Sequence, residues 1–186
     1  MGKLSIEKTK LVGVNILTAI PYIDDRGEFQ RLFCEDELNE IYNKYNIKQI
    51  NRSLSYKKGT TRGLHFQYAP DCEVKIIKCI RGSILDIVVD IRKDSPTFLQ
   101  SFSIELSKQN NKMIFIEKGF AHGFQTLEDD TELLYLHSDI YTPNNEGALN
   151  IKDPILNIKL PYEITEISQK DENHKYLDTS FKGINI

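Results

Sequence analysis

The sequence predicts an all-β protein, a jelly-roll barrel or sandwich with a few short helices. Three observations predict it. Runs rich in β-branched and aromatic residues recur along most of the chain, as in LVGVNILTAI, FLQSFSIEL and ELLYLHSDIY. Gly, Asn, Asp and Pro punctuate these runs. Apolar residues at helical spacing are confined to one or two short segments. Many strands with little helix must bury their apolar faces against each other, in a sandwich or a closed barrel. The mouth of such a barrel is a common place for a small ligand.

The elements follow in chain order. LVGVNILTAI (11–20) is the first strong strand. CEDELNEIYNKYN (34–46) places Leu38, Ile41 and Tyr42 at helical spacing after acidic residues that suit a helix start. TRGLHFQ (61–67) is a strand with an imidazole between Leu64 and Phe66. KIIKCIRGSILDIVVDIR (75–92) is two apolar runs, with Arg81-Gly82-Ser83 as the turn between them. FLQSFSIEL, KMIFIEKGFAHGFQTL and ELLYLHSDIY complete the strands, and SQKDENHKYLD (168–178) is a second short helix. No internal repeat or low-complexity linker divides the 186 residues, which suit one domain over 1–186.

Composition narrows the function classes. Hydrophobic residues make up 40% and charged residues 27%, as in ordinary globular proteins, and the formal net charge is −3. That balance carries no basic footprint for nucleic acid. No stretch approaches the roughly 18 apolar residues of a membrane span, and the N-terminus lacks the apolar core of a signal peptide. Cys34, Cys72 and Cys79 are odd in number and lack CxxC spacing, which suits a reducing cytosol better than a disulfide framework or zinc cluster.

The informative residues are polar ones inside apolar strands. They are His65, Lys75 in EVKIIKCI, Asp86 in SILDIVVDI, His122 in GFAHGF and Tyr135 in ELLYLHS. Alternation puts Lys75, Ile77 and Cys79 on one face, Leu133, Tyr135 and His137 on another, and His65 with Gly63 and Gln67. Buried charges are costly unless paired or used. Each residue alone has an ordinary reading: a satisfied core histidine, a carboxylate accepting from a turn, an edge-strand lysine, a core tyrosine. Five on successive strands point to a site.

TRGLHFQ, VKIIKCIRGSILDIVVDIRKDSPTF, EKGFAHGFQTL and LLYLHSDIYTP, in this order and spacing, resemble the nucleotide-sugar 3,5-epimerases, of the dTDP-4-dehydrorhamnose 3,5-epimerase family. The resemblance spans about Leu11 to Asp171. It implies a cupin-type jelly roll, a homodimer, and no metal or organic cofactor. It implies a nucleotide-diphosphate-linked 4-keto-6-deoxy sugar as substrate and bacterial surface polysaccharide synthesis as setting. The C4 ketone acidifies C3 and C5, so inversion needs a base on one face, a stabiliser of the O4 oxyanion, and an acid on the other face. By resemblance His65 is the base with Asp171 as its partner, Tyr135 the acid and Lys75 the oxyanion stabiliser. Arg62 binds, toward the oxyanion or the diphosphate, and Gln67 is also placed among the binding residues. Asp86 and His122 are expected to orient Lys75 and the sugar. Arg26, Phe29, Gln49 and Asn51 match the nucleotide-binding positions, part of which a neighbouring subunit supplies.

One local point resists this picture, since strict alternation puts Arg62 and His65 on opposite faces; Gly63 offers a bulge as the remedy. The departures from the family pattern are also specific. Arg31 stands where the family has an acidic residue; a pure donor there suits cytosine or the acceptor edge of guanine better than thymine. Ile151 and Leu160 replace two tryptophans, Glu117 a proline, and Arg52 a histidine. The nucleotide, the sugar, and whether one or both of C3 and C5 are inverted stay open. Other readings are a cupin ketoisomerase on the same type of substrate, a non-catalytic sugar-nucleotide binding module, and a metal-dependent cupin.

Overall fold

The computed structural model describes residues 3–42 and 45–186. Two antiparallel sheets pack face to face, and the expected all-β jelly roll is the architecture observed. One sheet has six strands: β1 (Lys3–Lys8), β2 (Val14–Ile20), β10 (Lys112–Ile116), β7 (Lys75–Arg81), β12 (Thr131–His137) and β5 (Gln49–Ser55), in that spatial order. The other runs β13 (Glu146–Ala148), β6 (Thr61–Gln67), β11 (Phe120–Thr126), β8 (Ser83–Asp90) and β9 (Ser101–Ser107). A separate hairpin pairs β3 (Tyr22–Asp24) with β4 (Gly27–Phe29).

Each strand's alternation fills a different layer. Val14, Ile77, Cys79, Ile114 and Leu133 of the first sheet meet Ile84, Val88, Leu106, Phe120 and Phe124 of the second, forming the central core. The outer face of the six-stranded sheet is covered by residues from the 32–47 stretch, with Leu38 and Tyr42 buried against Ile76, Met113 and Phe115. The outer face of the other sheet is covered by the C-terminal third of the chain. Ile151 and Leu160 belong to this layer, so the positions that replace tryptophans are packing positions here.

The turn expected at Arg81-Gly82-Ser83 is present, and it joins strands of different sheets as a corner between layers. Gly82 has φ +72°, and a Cβ there would lie 2.5 Å from the Thr131 hydroxyl. Two local expectations are corrected, both of them helices. The helix expected over 34–46 is the single turn α1 (Asn39–Tyr42), preceded by turns; residues 43 and 44 lie outside the described residues. Leu38 and Tyr42 are buried as their spacing requires. The helix expected over 168–178 is only α2 (Gln169–Glu172), capped by Ser168, whose hydroxyl accepts from the Asp171 amide. Asn150 ends it by donating to the carbonyls of Glu172 and His174. In both segments tertiary contacts override helical periodicity.

Candidate active site

The sheets part at one end of the sandwich, leaving a cavity of about 270 Å³ between them. Asn51, Ser53, Glu73, Lys75, Tyr135 and His137 wall it from the six-stranded side, and Arg62, His65, Gln67 and His122 from the other. Register explains the grouping. Tyr135 is paired with Ile77 and His137 with Lys75, so period two sends Lys75, Tyr135 and His137 inward beside the core residues Ile77 and Leu133. On the facing sheet His122 is paired with both His65 and Val88.

Arg62 and His65 both wall the cavity, which strict alternation forbids. His122 pairs with His65 while Phe124 pairs with Arg62, so β6 carries one residue more than β11 over this interval. The bulge centres on Gly63, at φ +108°. A Cβ there would lie 2.5 Å from the Gly123 Cα and 2.6 Å from the His122 carbonyl oxygen, so two glycines are needed where the strands cross this closely.

The titratable groups are paired. His65 Nε2 is 2.7 Å from Asp171 Oδ1, and the other Asp171 oxygen accepts from the Gly63 amide at 3.2 Å. α2 carries Asp171 to this position, and it is 4% exposed. Burial pushes the Asp171 carboxyl up, but His65, the Gly63 amide and Ser168 outweigh it and hold it below the ordinary carboxylate value. His65 is the more open partner, with a third of its side chain exposed. An ionised carboxylate can only accept, so it fixes the proton on Nε2 and leaves Nδ1 as the free lone pair of the neutral ring.

Opposite stands Tyr135. Burial holds its phenol proton well above the ordinary tyrosine value; the Asp86 carboxylate adds to this, while Ser53 and Arg62 oppose it. Its ring meets His122 edge-on at 6.4 Å and stacks on His137 at 5.9 Å. His122 Nε2 in turn binds Asp86 Oδ2 at 2.8 Å; Asp86 is fully buried and His122 nearly so. Asp86 therefore orients His122, on the strand beside its own. Lys75 is held by Glu73, at 3.1 Å from its Oε1.

The remaining expected residues divide. Asn51 walls the cavity. Gln67 does too, but its amide is engaged: it donates to the carbonyls of Asp71 and Ile140 and accepts from the Thr142 amide, fixing the rim loop. Gln49 accepts from the Tyr141 amide on the same rim. Arg26, Phe29 and Arg31 lie away from the cavity walls. Arg26 is paired with Asp24 on the exposed hairpin, Phe29 is exposed, and Arg31 pairs with Glu37, which also accepts from the Leu4 amide. Glu73, Ser53, Tyr141 and Glu146 also wall the cavity, beyond the residues that the sequence pattern predicts. Glu73 was within reach of the period-two argument, two residues before Lys75. Tyr141 and Glu146 follow a loop, where alternation carries no signal. Among the described residues no cluster of three or more His, Cys, Asp or Glu is placed to hold a metal, and no helix is long and apolar enough to cross a membrane.

Residues 8–179 match the family model described as dTDP-4-dehydrorhamnose 3,5-epimerase. The chain belongs to the dTDP-4-dehydrorhamnose 3,5-epimerase family. As a member it is an isomerase. It is 38% identical over 173 residues to the enzyme of that name from Salmonella typhimurium, covering 92% of this chain and 94% of the relative. The fold superposes with a TM-score of 0.90 on the Bacillus anthracis dTDP-4-dehydrorhamnose 3,5-epimerase, solved with TDP and PPi bound, at 34% identity and covering 94% and 99% of the two chains. The score is also 0.90 against the Legionella pneumophila epimerase in complex with dTDP-4-keto-L-rhamnose, at 32% identity and covering 98% and 99%.

Proposed function

We propose that residues 1–186 act as one domain that epimerises C3, C5 or both of a nucleotide-diphosphate-linked 4-keto-6-deoxy sugar. The observation that carries this reading is the cavity itself: the His65–Asp171 pair and Tyr135 face each other from opposite sheets, with Lys75 on the Tyr135 wall. His65 takes the proton from the carbon next to the ketone, and Asp171 stabilises the imidazolium. The electron pair moves to O4, where the Lys75 ammonium, assisted by Arg62, balances the enolate charge. Tyr135 donates its phenolic proton to the opposite face of the same carbon. Solvent then reprotonates the phenolate and takes the proton from His65. Burial keeps Tyr135 protonated until this step.

The nucleotide half extends toward the hairpin. Tyr22, Ile23 and Phe29 are exposed on it, an apolar set that suits burial against a second copy of the chain. In the homodimer Arg26 and Phe29 of one subunit then complete the nucleotide pocket of the other. The setting is cytoplasmic, in deoxysugar synthesis for surface polysaccharide.

The test is NMR in deuterium oxide, with 4-keto-6-deoxy sugars carried on dTDP, CDP and GDP. Deuterium entering C3, C5 or both counts the centres and identifies the nucleotide. No exchange with any carrier overturns the reading.

A further inference from the structure

The catalytic scheme uses the His65–Asp171 pair, and His122–Asp86 packs against Tyr135; a third carboxylate–imidazole pair of the cavity has no part in either. Glu73 Oε2 is 2.8 Å from His137 Nδ1, and its other oxygen holds Lys75. All three side chains are nearly buried and wall the cavity. Burial pushes the Glu73 carboxyl up, yet Lys75 and His137 hold it below the ordinary value, so it is ionised and only accepts. His137 must therefore carry its proton on Nδ1, and in the neutral ring Nε2 is a bare acceptor. The ring is locked flat on Tyr135, 17° from parallel. Among the described residues its Nε2 meets the Asn51 amide nitrogen at 3.5 Å, at the outer limit of a hydrogen bond.

We propose that His137 is a specificity-determining residue: its Nε2 accepts a hydrogen bond from a substrate hydroxyl, and Glu73 is the positioning residue that sets its tautomer. The proposal rests on the epimerase reading for the identity of the substrate. Several of the cavity's other polar groups are already allotted. Lys75 and Arg62 are donors, the free lone pair of His65 is needed at carbon, and the Gln67 oxygen is taken by Thr142. A deoxysugar brings hydroxyl donors as well as the ketone, and a buried donor without an acceptor is costly. The second oxygen of Glu73 makes the arrangement economical, because one carboxylate aims both the oxyanion donor and the hydroxyl acceptor.

The experiment has two arms on the full-length protein. Nitrogen-15 NMR of histidine-labelled protein, with His137 assigned by its loss in H137Q, reads the tautomer directly. The proton is expected on Nδ1 in the wild type and on Nε2 in E73Q, where the amide nitrogen now donates to Nδ1. Steady-state kinetics read the second arm on whichever carrier the wild type accepts. H137F keeps an aromatic ring over Tyr135 and removes the acceptor. KM should rise roughly fivefold to tenfold, the worth of one neutral hydrogen bond, with kcat changed far less, and H137Q should recover part of the loss. A proton on Nε2 in the wild type, or an unchanged KM in H137F, overturns the proposal. If H137F does not fold, the tautomer and H137Q decide it. Absence of turnover by the wild type instead defeats the epimerase reading, and the tautomer measurement still stands.

Discussion

Asp171 lies 106 residues after His65 in the chain and 2.7 Å from it in space. Nothing in the local pattern of SQKDENHKYLD requires this contact; it depends on α2 being laid along β6. The Glu166 carbonyl accepts from the Thr61 amide, and the Ser168 cap then turns Asp171 inward. The pair makes Asp171→Asn a sharp probe. An amide would donate to Nε2, driving the imidazole proton to Nδ1 and occupying the lone pair needed at carbon. Solvent exchange at the sugar should fall by on the order of 10²–10⁴, read by deuterium incorporation. Exchange within a fewfold of wild type would remove Asp171 from the base.

The same contact couples stability to pH. The folded pKa of Asp171 is depressed, so its contribution is fully present above the unfolded value, about 3.9. It is lost as pH falls through the folded value. Denaturant unfolding of wild type and Asp171→Asn between neutral pH and about pH 3 should show the wild-type advantage shrinking only below about pH 4. An advantage that is unchanged down to acid pH would mean that the carboxylate charge contributes nothing.

The residues on regular strands were the legible part of this site. His65, Lys75, His122 and Tyr135 could be read as inward-facing polar groups because strand alternation is strict and their neighbours are apolar. Arg62 was not legible in this way, since the bulge at Gly63 shifts the count by one residue. The partners of the inward groups were harder still. That Lys75 meets Glu73 follows from alternation, but that Asp86 meets His122 requires knowing which strands are neighbours. The two helices are shorter than their periodicity predicts for a related reason: periodicity reports which side chains are buried, and it does not report where hydrogen bonds from another segment end the turn.

Gly63→Ala tests the bulge. The added methyl meets backbone atoms at 2.5 and 2.6 Å, which cannot swing aside as a side chain would, and φ +108° is unfavourable for any residue with a Cβ. A loss of about 2–4 kcal/mol is expected, measured by urea unfolding. Activity should fall with it, because Arg62 and His65 reach the cavity together only through this bulge. Full stability and activity would show that β6 can cross β11 without a glycine.

Tyr135→Phe separates the two halves of the reaction. Removal of the substrate proton needs His65 and Lys75, both left in place, so deuterium should still enter the starting sugar. Net inversion should drop by at least 10², measured as product formed per exchange event. Because the phenol pKa is raised by burial, the wild type should also show no loss of activity from Tyr135 ionisation as pH rises through 10, the ordinary tyrosine value. Equal loss of exchange and inversion in Tyr135→Phe would argue against a dedicated acid.

Arg31 offers the test of nucleotide choice. It is paired with Glu37 and stands apart from the sugar cavity of its own chain. In the proposed dimer it follows the hairpin that reaches the neighbouring nucleotide pocket. Arg31→Glu exchanges a donor for an acceptor and sets a second carboxylate beside Glu37, freeing the new side chain to turn away. If Arg31 reads the base, preference should move toward thymidine and uridine diphosphate sugars, whose N3–H needs an acceptor. The measurement is kcat/KM for the same sugar on dTDP and CDP carriers, where a reversal of preference by tenfold or more is expected. If the ratio is unchanged while thermal stability falls, Arg31 does not read the base and anchors Glu37, and through it the Leu4 amide of β1.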